Sequence, residues 1–391
     1  MLTHILVVPS GYPENLIPYR GIFYKRQAES LNKSEQLRIT VAYPEIWSIK
    51  TFGKQRDQSG ISYREEDRIP TYRWKGFNYF ANLPYTTESI FYNRLKKIYH
   101  KLVEEQGRPD IIHAHSCLWA GYAAAKLSKE EKIPLVITEH SSVFGRGLLK
   151  PYQKRLVEDA LNQTSEVIAV GPRLQRELSE YTNKTIHVIP NAVDHSFFQV
   201  DIHPPEEPFR FLTIANLNRN KGIDLLIYAF EERFKGTNVE LYIGGDGPNR
   251  QELEDLTVSK ELSEQVHFLG ALDKEQVKYE IGKSHVFVLP SRYETFGVVL
   301  VEALAAGKPI ISTKCGGPEM IVSDINGKLV PVDDHQALSK AMVLLKDTYS
   351  DYRVDAIIAD CKQRFSEESV NNQIEEIYNK VTKYDAKKIV M

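Results

Sequence analysis

The stretch from Ser284 to Pro309, SHVFVLPSRYETFGVVLVEALAAGKP, narrows the possible folds more than any other part of the chain. His285 to Pro290 is a short apolar run with Val and Phe and predicts a buried strand. Ser291 to Glu294 is polar and predicts a loop. Val298 to Ala306 is apolar on every side, and too long and Ala-rich for a strand, so a buried helix is expected, stopped by Gly307 and Pro309. One charge, Glu302, sits inside that helix, and a buried carboxylate needs a hydrogen-bond partner. Thr295, Phe296 and Gly297 lie at the helix start, where free backbone N–H groups and the helix dipole favour an anion. With Glu294 in the loop, the unit suggests phosphate held at one end and hydroxyls at the other. The two Glu alone fit equally well with one satisfied core residue and one solvated loop residue.

The same alternation runs through the chain. Predicted strands at Leu2–Pro9, Arg38–Tyr43, Asp110–Ala114, Pro134–Thr138 and Glu166–Val170 alternate with helices at Ile22–Leu31, Phe91–Glu105, Trp119–Lys129, Lys150–Asn162 and Pro172–Tyr181. Between Trp47 and Tyr85 short strands and a long loop are expected. Residues 189–210 break the rhythm with four prolines and mark a crossing into a second domain. There, strands at Phe209–Ala215, Val239–Ile243, Val266–Leu269, His285–Pro290, Pro309–Thr313 and Gly327–Pro331 alternate with helices again. Alternation of this kind implies parallel sheets with helices on both faces, an α/β fold. The 391 residues exceed what one core supports. The expected division is 1–188 and 189–365, with a final helix from about 366–391 completing the first domain. The loops at 216–222, 244–248, 291–297 and 314–318 all follow strand ends, so they should converge on one sheet edge.

Composition is that of an ordinary soluble protein, with no apolar run long enough to span a membrane. The N-terminal apolar segment is too short for a signal peptide and predicts a first strand. Three widely spaced cysteines, Cys117, Cys315 and Cys361, argue against a disulfide framework or a zinc site, so a cytoplasmic protein is the simplest expectation. Residues 1–170 carry 24 Lys/Arg against 18 Asp/Glu, a net of +6, and the remainder carries 26 against 34, a net of −8. The first half is therefore the one to meet an anionic partner or surface, unless its charges are simply solvated.

Among the loops, NLNRNKG offers Arg219 and Lys221 before a helix, two cations suited to a diphosphate or merely solvated. GGDGP lacks dinucleotide-fingerprint spacing and predicts a tight turn. No Walker loop, nucleophile elbow or metal-ligand spacing is present. His113 and His115 flank Ala114 on a strand and share a face. If Glu294 and Glu302 lay on one helix they would be about 12 Å apart. Glycoside hydrolases need about 5–9.5 Å, which counts moderately against hydrolysis.

Glu294 and Glu302, an E-x7-E pair inside LPSRYETFGVVLVEALAAGKPIISTKCGGPE, resemble the motif of retaining glycosyltransferases of family 4. IPNAVD, KGIDLLI, GGDGP, VHFLG and NGKLVP follow in that family's order, and GYPENLIPYRGIFYKRQAESL, DIIHAHS and ITEHSS resemble its N-terminal segments. The similarity covers nearly the whole chain. It implies a GT-B fold, two Rossmann-like parallel-sheet domains facing each other across a cleft, and transfer of a sugar from a nucleotide-diphosphate sugar. By the family pattern Glu302 contacts the donor ribose and Glu294 lies beside the transferred sugar. Thr295 to Gly297 meet the diphosphate with Lys221 as its cation, Gly21 approaches the phosphates, and His115 sits by the reacting carbon. Two departures stand out. Asn216 occupies the position five before the lysine where members often carry Arg, leaving Arg219 to supply that charge, and a single Gly21 follows Arg20 where many have a Gly pair.

No D-x-D pair is present, so activity without a metal or other cofactor is expected, with a UDP-sugar favoured over a GDP-sugar. The acceptor is expected to be a sugar or lipid-linked hydroxyl in surface polysaccharide or glycolipid synthesis. The cations of the helix at 94–101 and the aromatics Trp47, Tyr72, Trp74, Phe77, Tyr79 and Phe80 suggest contact with an anionic membrane; the same aromatics would also serve as core under a loop. No nucleic-acid partner is expected. The rival readings are an epimerase or hydrolase acting on the donor alone, and a non-catalytic nucleotide-sugar-binding subunit.

Overall fold

The computed structural model describes residues 2–389 apart from 18, 56 and 82. The chain forms two compact units, one of residues 1–191 and 371–391, the other of residues 192–370. The expected boundaries at 188/189 and 366 fall a few residues earlier, and positions 390 and 391 of the expected closing helix lie outside the described residues.

Unit one is built from β1 (Thr3–Pro9), α1 (Ile22–Leu31), β2 (Leu37–Ser48), β3 (Gly60–Glu66), β4 (Ile69–Asn78), α2 (Thr86–Gln106), β5 (Ile111–His115), α3 (Tyr122–Glu131), β6 (Leu135–Glu139), α4 (Pro151–Gln163), β7 (Glu166–Ala169), α5 (Pro172–Leu178) and β8 (Ile186–Val188). The sheet order is β3-β4-β2-β1-β5-β6-β7-β8, with every pairing parallel except that of β3 with β4. β1, β5 and β6 are buried along almost their whole length, as parallel strands covered on both faces must be. The expected helix from Trp119 begins instead at Tyr122, because Trp119 takes a left-handed φ of 56° and kinks the preceding turn. The region between Trp47 and Tyr85 contains a full hairpin, β3–β4, at the sheet edge.

Unit two contains β9 (Phe209–Ile214), α6 (Ile223–Phe234), β10 (Val239–Gly244), α7 (Arg250–Ser259), β11 (Val266–Gly270), α8 (Lys274–Lys283), β12 (Val286–Leu289), α9 (Val298–Ala305), β13 (Ile310–Thr313), β14 (Gly327–Val330), α10 (His335–Asp347) and α11 (Val354–Phe365). Its six strands are all parallel in the order β11-β10-β9-β12-β13-β14. Phe211, Ile227, Phe230, Leu241, Val286, Val288 and Met342 belong to one core that α6 and α10 cover. The last helix, α12 (Glu367–Ile389), enters unit one from residue 371. Ile374, Ile377, Tyr378 and Val381 are its buried face, and the Tyr378 hydroxyl lies 2.6 Å from His113 Nδ1 on β5.

Candidate active site

In unit two the chain leaves β9 toward β10 and β11 on one side, and leaves β12 toward β13 and β14 on the other. The neighbours β9 and β12 therefore form a topological switch point, where open parallel sheets bind ligands beyond the strands' carboxyl ends. The loop after β9 carries Lys221 and the loop after β12 carries Glu294. Their side chains meet: Lys221 Nζ donates to Glu294 Oε1 at 2.5 Å, and Ser291 Oγ donates to the same oxygen at 2.7 Å. The Glu294 backbone is bonded to the loop after β13, its N–H to the Cys315 carbonyl at 3.3 Å and its carbonyl accepting from the Gly317 N–H at 2.8 Å. The loops after β9 and β10 are joined through Leu217 N–H to Asp246 O, 2.9 Å, and Asn249 N–H to Leu217 O, 2.9 Å. The four loops converge at one edge, as their positions after strand ends predict.

The helices that follow β9 and β12 start differently from α8 and α10. α8 and α10 begin with Asp273 and Asp334, whose carboxylates accept from first-turn amides. α6 and α9 begin instead with Gly222 and Gly297, left-handed at φ 66° and 102°, and neither has a side-chain cap. Their N-terminal amides are therefore not consumed by a capping carboxylate, the arrangement that suits an anion. Gly222 has a second reason to be glycine. A methyl group there would overlap the Pro290 carbonyl oxygen, so its absence lets the two loops pack closely enough for Lys221 to reach Glu294.

Arg292, which sequence reasoning passed over, fixes the loop after β12. Its guanidinium donates to Asp224 Oδ1 and Oδ2 at 3.0 and 2.8 Å, to Asp333 Oδ1 at 2.7 Å and to the Arg219 carbonyl at 2.5 Å. Phe296 is buried against Phe365, with ring centroids 5.8 Å apart, and anchors the other end. Thr295 is half-buried between these anchors. Glu302 lies one turn into α9 and is half-buried rather than fully buried as expected, so its desolvation is milder. Glu294 lies outside the helix, so the separation calculated for two residues on one helix does not apply. Arg219 does not join Lys221. It is exposed on the wall of a separate cavity of about 590 Å³ with Asp224, Tyr228 and Glu252. Asn216 is exposed and accepts from Asn218 Nδ2 at 2.9 Å.

Unit one has its own switch point between β1 and β5. A cavity of about 420 Å³ lies there, lined among others by Gly11, Arg20, Gly21, Ser116, Trp119 and His140. Gly21 starts α1 in the left-handed region, φ 59°, against the Gly11 carbonyl, which any larger residue would strike. Arg20 beside it donates to the buried Glu14 at 2.8 Å. His115 ends β5 but is only 1% exposed and does not line the cavity. Its Nδ1 lies 3.1 Å from Nε2 of His140, which does. Burial holds His115 well below the usual histidine range, with His113 and His140 adding to the effect, and lowers His113 and His140 to about 3. All three are neutral at pH 7 and can only exchange hydrogen bonds. Glu139 is a second residue that the sequence left unmarked. Its buried carboxylate accepts from the backbone N–H groups of Cys117, His140 and Ser141 at 2.6, 2.8 and 2.7 Å, and so shapes both loops at this edge. The available signal was a single charge closing the apolar strand PLVITE.

Two family models match the chain: Glycosyl transferases group 1 over residues 195–358, and Glycosyltransferase Family 4 over residues 57–197. The gpi3 subunit of phosphatidylinositol N-acetylglucosaminyltransferase from Schizosaccharomyces pombe is 30% identical over 283 residues, 70% of this chain, which spans 61% of that relative's length. TuaC of Bacillus subtilis, a glycosyltransferase named for teichuronic acid biosynthesis, is 27% identical over 363 residues, 86% of this chain and 88% of the relative. Among solved structures, sucrose-phosphate synthase from Thermosynechococcus elongatus superposes with a TM-score of 0.76 at 19% identity, covering 97% of this chain and 98% of the other. Anabaena HepE in complex with UDP gives 0.74 at 20% identity, covering 97% and 100%. The fold is GT-B, and the two glycosyltransferase family models, overlapping at residues 195–197, together match residues 57–358.

Proposed function

We propose that the chain is a retaining, metal-independent glycosyltransferase of the family 4 type, and that it moves a sugar from a nucleotide-diphosphate sugar to an acceptor hydroxyl. The observation that carries this reading is the Lys221–Glu294 pair, set at the switch point beside two helix starts that lack a capping carboxylate. A departing diphosphate gains charge as the sugar–oxygen bond breaks, and stabilisation by pre-placed donors is worth most there. Lys221 and the amides at Thr295 to Gly297 supply such donors. An arriving diphosphate competes with Glu294 for Lys221, which frees the carboxylate to face the transferred sugar. Glu302, half-buried one turn further on, holds the ribose hydroxyls.

In this reading the bond from the sugar's anomeric carbon to the diphosphate oxygen breaks. The bond to the acceptor oxygen forms on the same face, and the acceptor's proton passes to the departing phosphate. No protein nucleophile is required. The likeness to HepE, solved with UDP, favours UDP as the nucleotide. The relatives named for teichuronic acid and for phosphatidylinositol favour an acceptor in surface polysaccharide or glycolipid synthesis, at an anionic membrane surface. The test is incubation with a UDP-sugar and candidate acceptors in the presence of a chelator, with the anomeric configuration of the product read by NMR. An α-product from an α-donor at undiminished rate is expected. An inverted product, or loss of all transfer in chelator, overturns the mechanism.

A further inference from the structure

Between β4 and α2 the chain holds apolar side chains out in water on hydrogen-bonded backbone. Asn78 closes the loop, its side-chain amide donating to Thr87 Oγ1 at 3.0 Å and its Oδ1 accepting from the Phe80 N–H at 2.9 Å. The Thr86 hydroxyl donates to the carbonyls of Phe80 and Leu83 at 2.6 and 2.7 Å, and the Leu83 N–H donates to Phe80 O at 3.0 Å. These bonds hold Phe80 and Leu83, which with Tyr79 and Tyr85 are nonetheless exposed, Phe80 by 63%. The patch continues on both sides. Phe77 lies 6.0 Å from Tyr79 and 5.5 Å from Phe52, which is 72% exposed beside the exposed Ile49. On the other flank Tyr85 packs at 4.9 Å against Tyr152 in the first turn of α4, next to the exposed Leu148. A contiguous apolar patch held in place by hydrogen bonds marks a surface that meets something apolar.

The charges around it identify the partner. Lys50 and Lys54 at one end, and Arg146, Lys150, Lys154 and Arg155 at the other, are exposed. The carboxylates Glu158 and Asp159 come only in the following turn of α4. The sequence expectation for this surface is corrected at two points. Trp47 and Tyr72 are core residues. On α2, Arg94 donates to the carbonyls of Glu45, Gly76 and Phe77, Lys96 pairs with Glu130, Lys97 lies over Trp74 and Lys101 pairs with Glu105. Lys97 stays exposed on α2, and further exposed cations lie at residues 50–54 and 146–155, close in sequence to the exposed apolar side chains. Two copies of the chain meeting through this face would bring like charges together, whereas lipid phosphates complement them.

We propose that this ridge is the surface by which unit one lies on an anionic lipid bilayer. Phe52, Phe80 and Leu83 enter the headgroup region and the flanking cations meet lipid phosphates. It deepens the proposed function, resting on it only for the idea that the acceptor is presented at a membrane. The test is co-sedimentation of the full chain with vesicles of phosphatidylcholine, with and without phosphatidylglycerol, at low and high salt. Thermal stabilisation by UDP is measured on the same samples. Wild type should bind the phosphatidylglycerol vesicles at low salt and release them at high salt. Phe80→Ser with Leu83→Ser should weaken binding by about tenfold or more, and Lys150→Glu with Lys154→Glu should remove the preference for phosphatidylglycerol; both should keep the UDP response. Wild type failing to bind at low salt, or the serine pair binding as wild type does, overturns the ridge while leaving the nucleotide reading untouched. A concentration-dependent dimer that the serine pair abolishes assigns the face to a second copy and equally overturns the proposal.

Discussion

Replacing Lys221 by Met keeps an unbranched side chain, one atom shorter, and removes the ammonium group, which separates two consequences. The first is structural. Glu294 keeps the Ser291 hydroxyl at 2.7 Å but loses its cation at 2.5 Å. The two side chains are 22% and 12% exposed, between a surface pair worth up to about 1 kcal/mol and a buried pair whose breakage costs about 3–5 kcal/mol. A loss of about 1–3 kcal/mol in urea unfolding follows. The second consequence is chemical. Removing one pre-placed donor to a developing anion costs about 2.7–4 kcal/mol, or roughly 100- to 1,000-fold in turnover. Adding Glu294→Gln to Lys221→Met leaves no uncompensated charge, so stability should return to within about 1 kcal/mol of wild type while turnover stays low. The assay is release of UDP from the sugar donor beside urea melts of wild type, Lys221→Met, Glu294→Gln and the double variant. Turnover of Lys221→Met within a few-fold of wild type would remove Lys221 from the mechanism. A double variant no more stable than the single one would show that the pair does not act as a charge couple.

Three further outcomes are expected. Burial lowers His113 and His140 to about 3, against about 6.5 when unfolded, so the folded state favours their neutral forms. Stability that is fully present above pH 6.5 should therefore be lost as pH falls toward 3, by about 1.4 kcal/mol per unit for each group, and His140→Gln should make that decline shallower in acid unfolding followed by circular dichroism. Gly222→Ala combines a left-handed φ with overlap on the Pro290 carbonyl, and should destabilise by at least about 2 kcal/mol in urea. Arg292→Gln loosens the loop holding Glu294 without touching a ligand, and should lower kcat/KM by about tenfold with a smaller effect on stability than Gly222→Ala.

Much of this was legible because apolar runs report burial directly. β1 and β12 are buried along almost their whole length and read as continuous Val, Leu, Ile and Phe stretches. Lys221 and Glu294 are far apart in sequence, yet strand order brings them together, and their positions after strand ends were enough to expect that. Edge elements were less readable. β3 has a neighbour on one side only and no fully buried residue, so GISYREE carries little pattern. α11 has buried Ile357, Cys361 and Phe365 recurring every four residues, but Asp355, Asp360, Lys362 and Arg364 break up the apolar pattern in the sequence. Composition could not sort the aromatics around 47–85, since Tyr72 in the sheet and Phe80 in the loop are alike as residue types and differ only in which side of the unit they face. His115 could be placed on its strand, but not behind His140, because that depends on a second loop shaped by Glu139.

The central claim is that unit two binds a nucleotide diphosphate at the β9–β12 switch point. The most direct measurement is thermal unfolding of wild type and Glu302→Ala with UDP, GDP and ADP. At 100 times its dissociation constant a ligand adds about 2.7 kcal/mol of stability, about 5–10 °C for a unit of this size. UDP should give that shift in wild type and not in Glu302→Ala. No shift with any of the three, or a shift that Glu302→Ala leaves unchanged, would contradict the site described above.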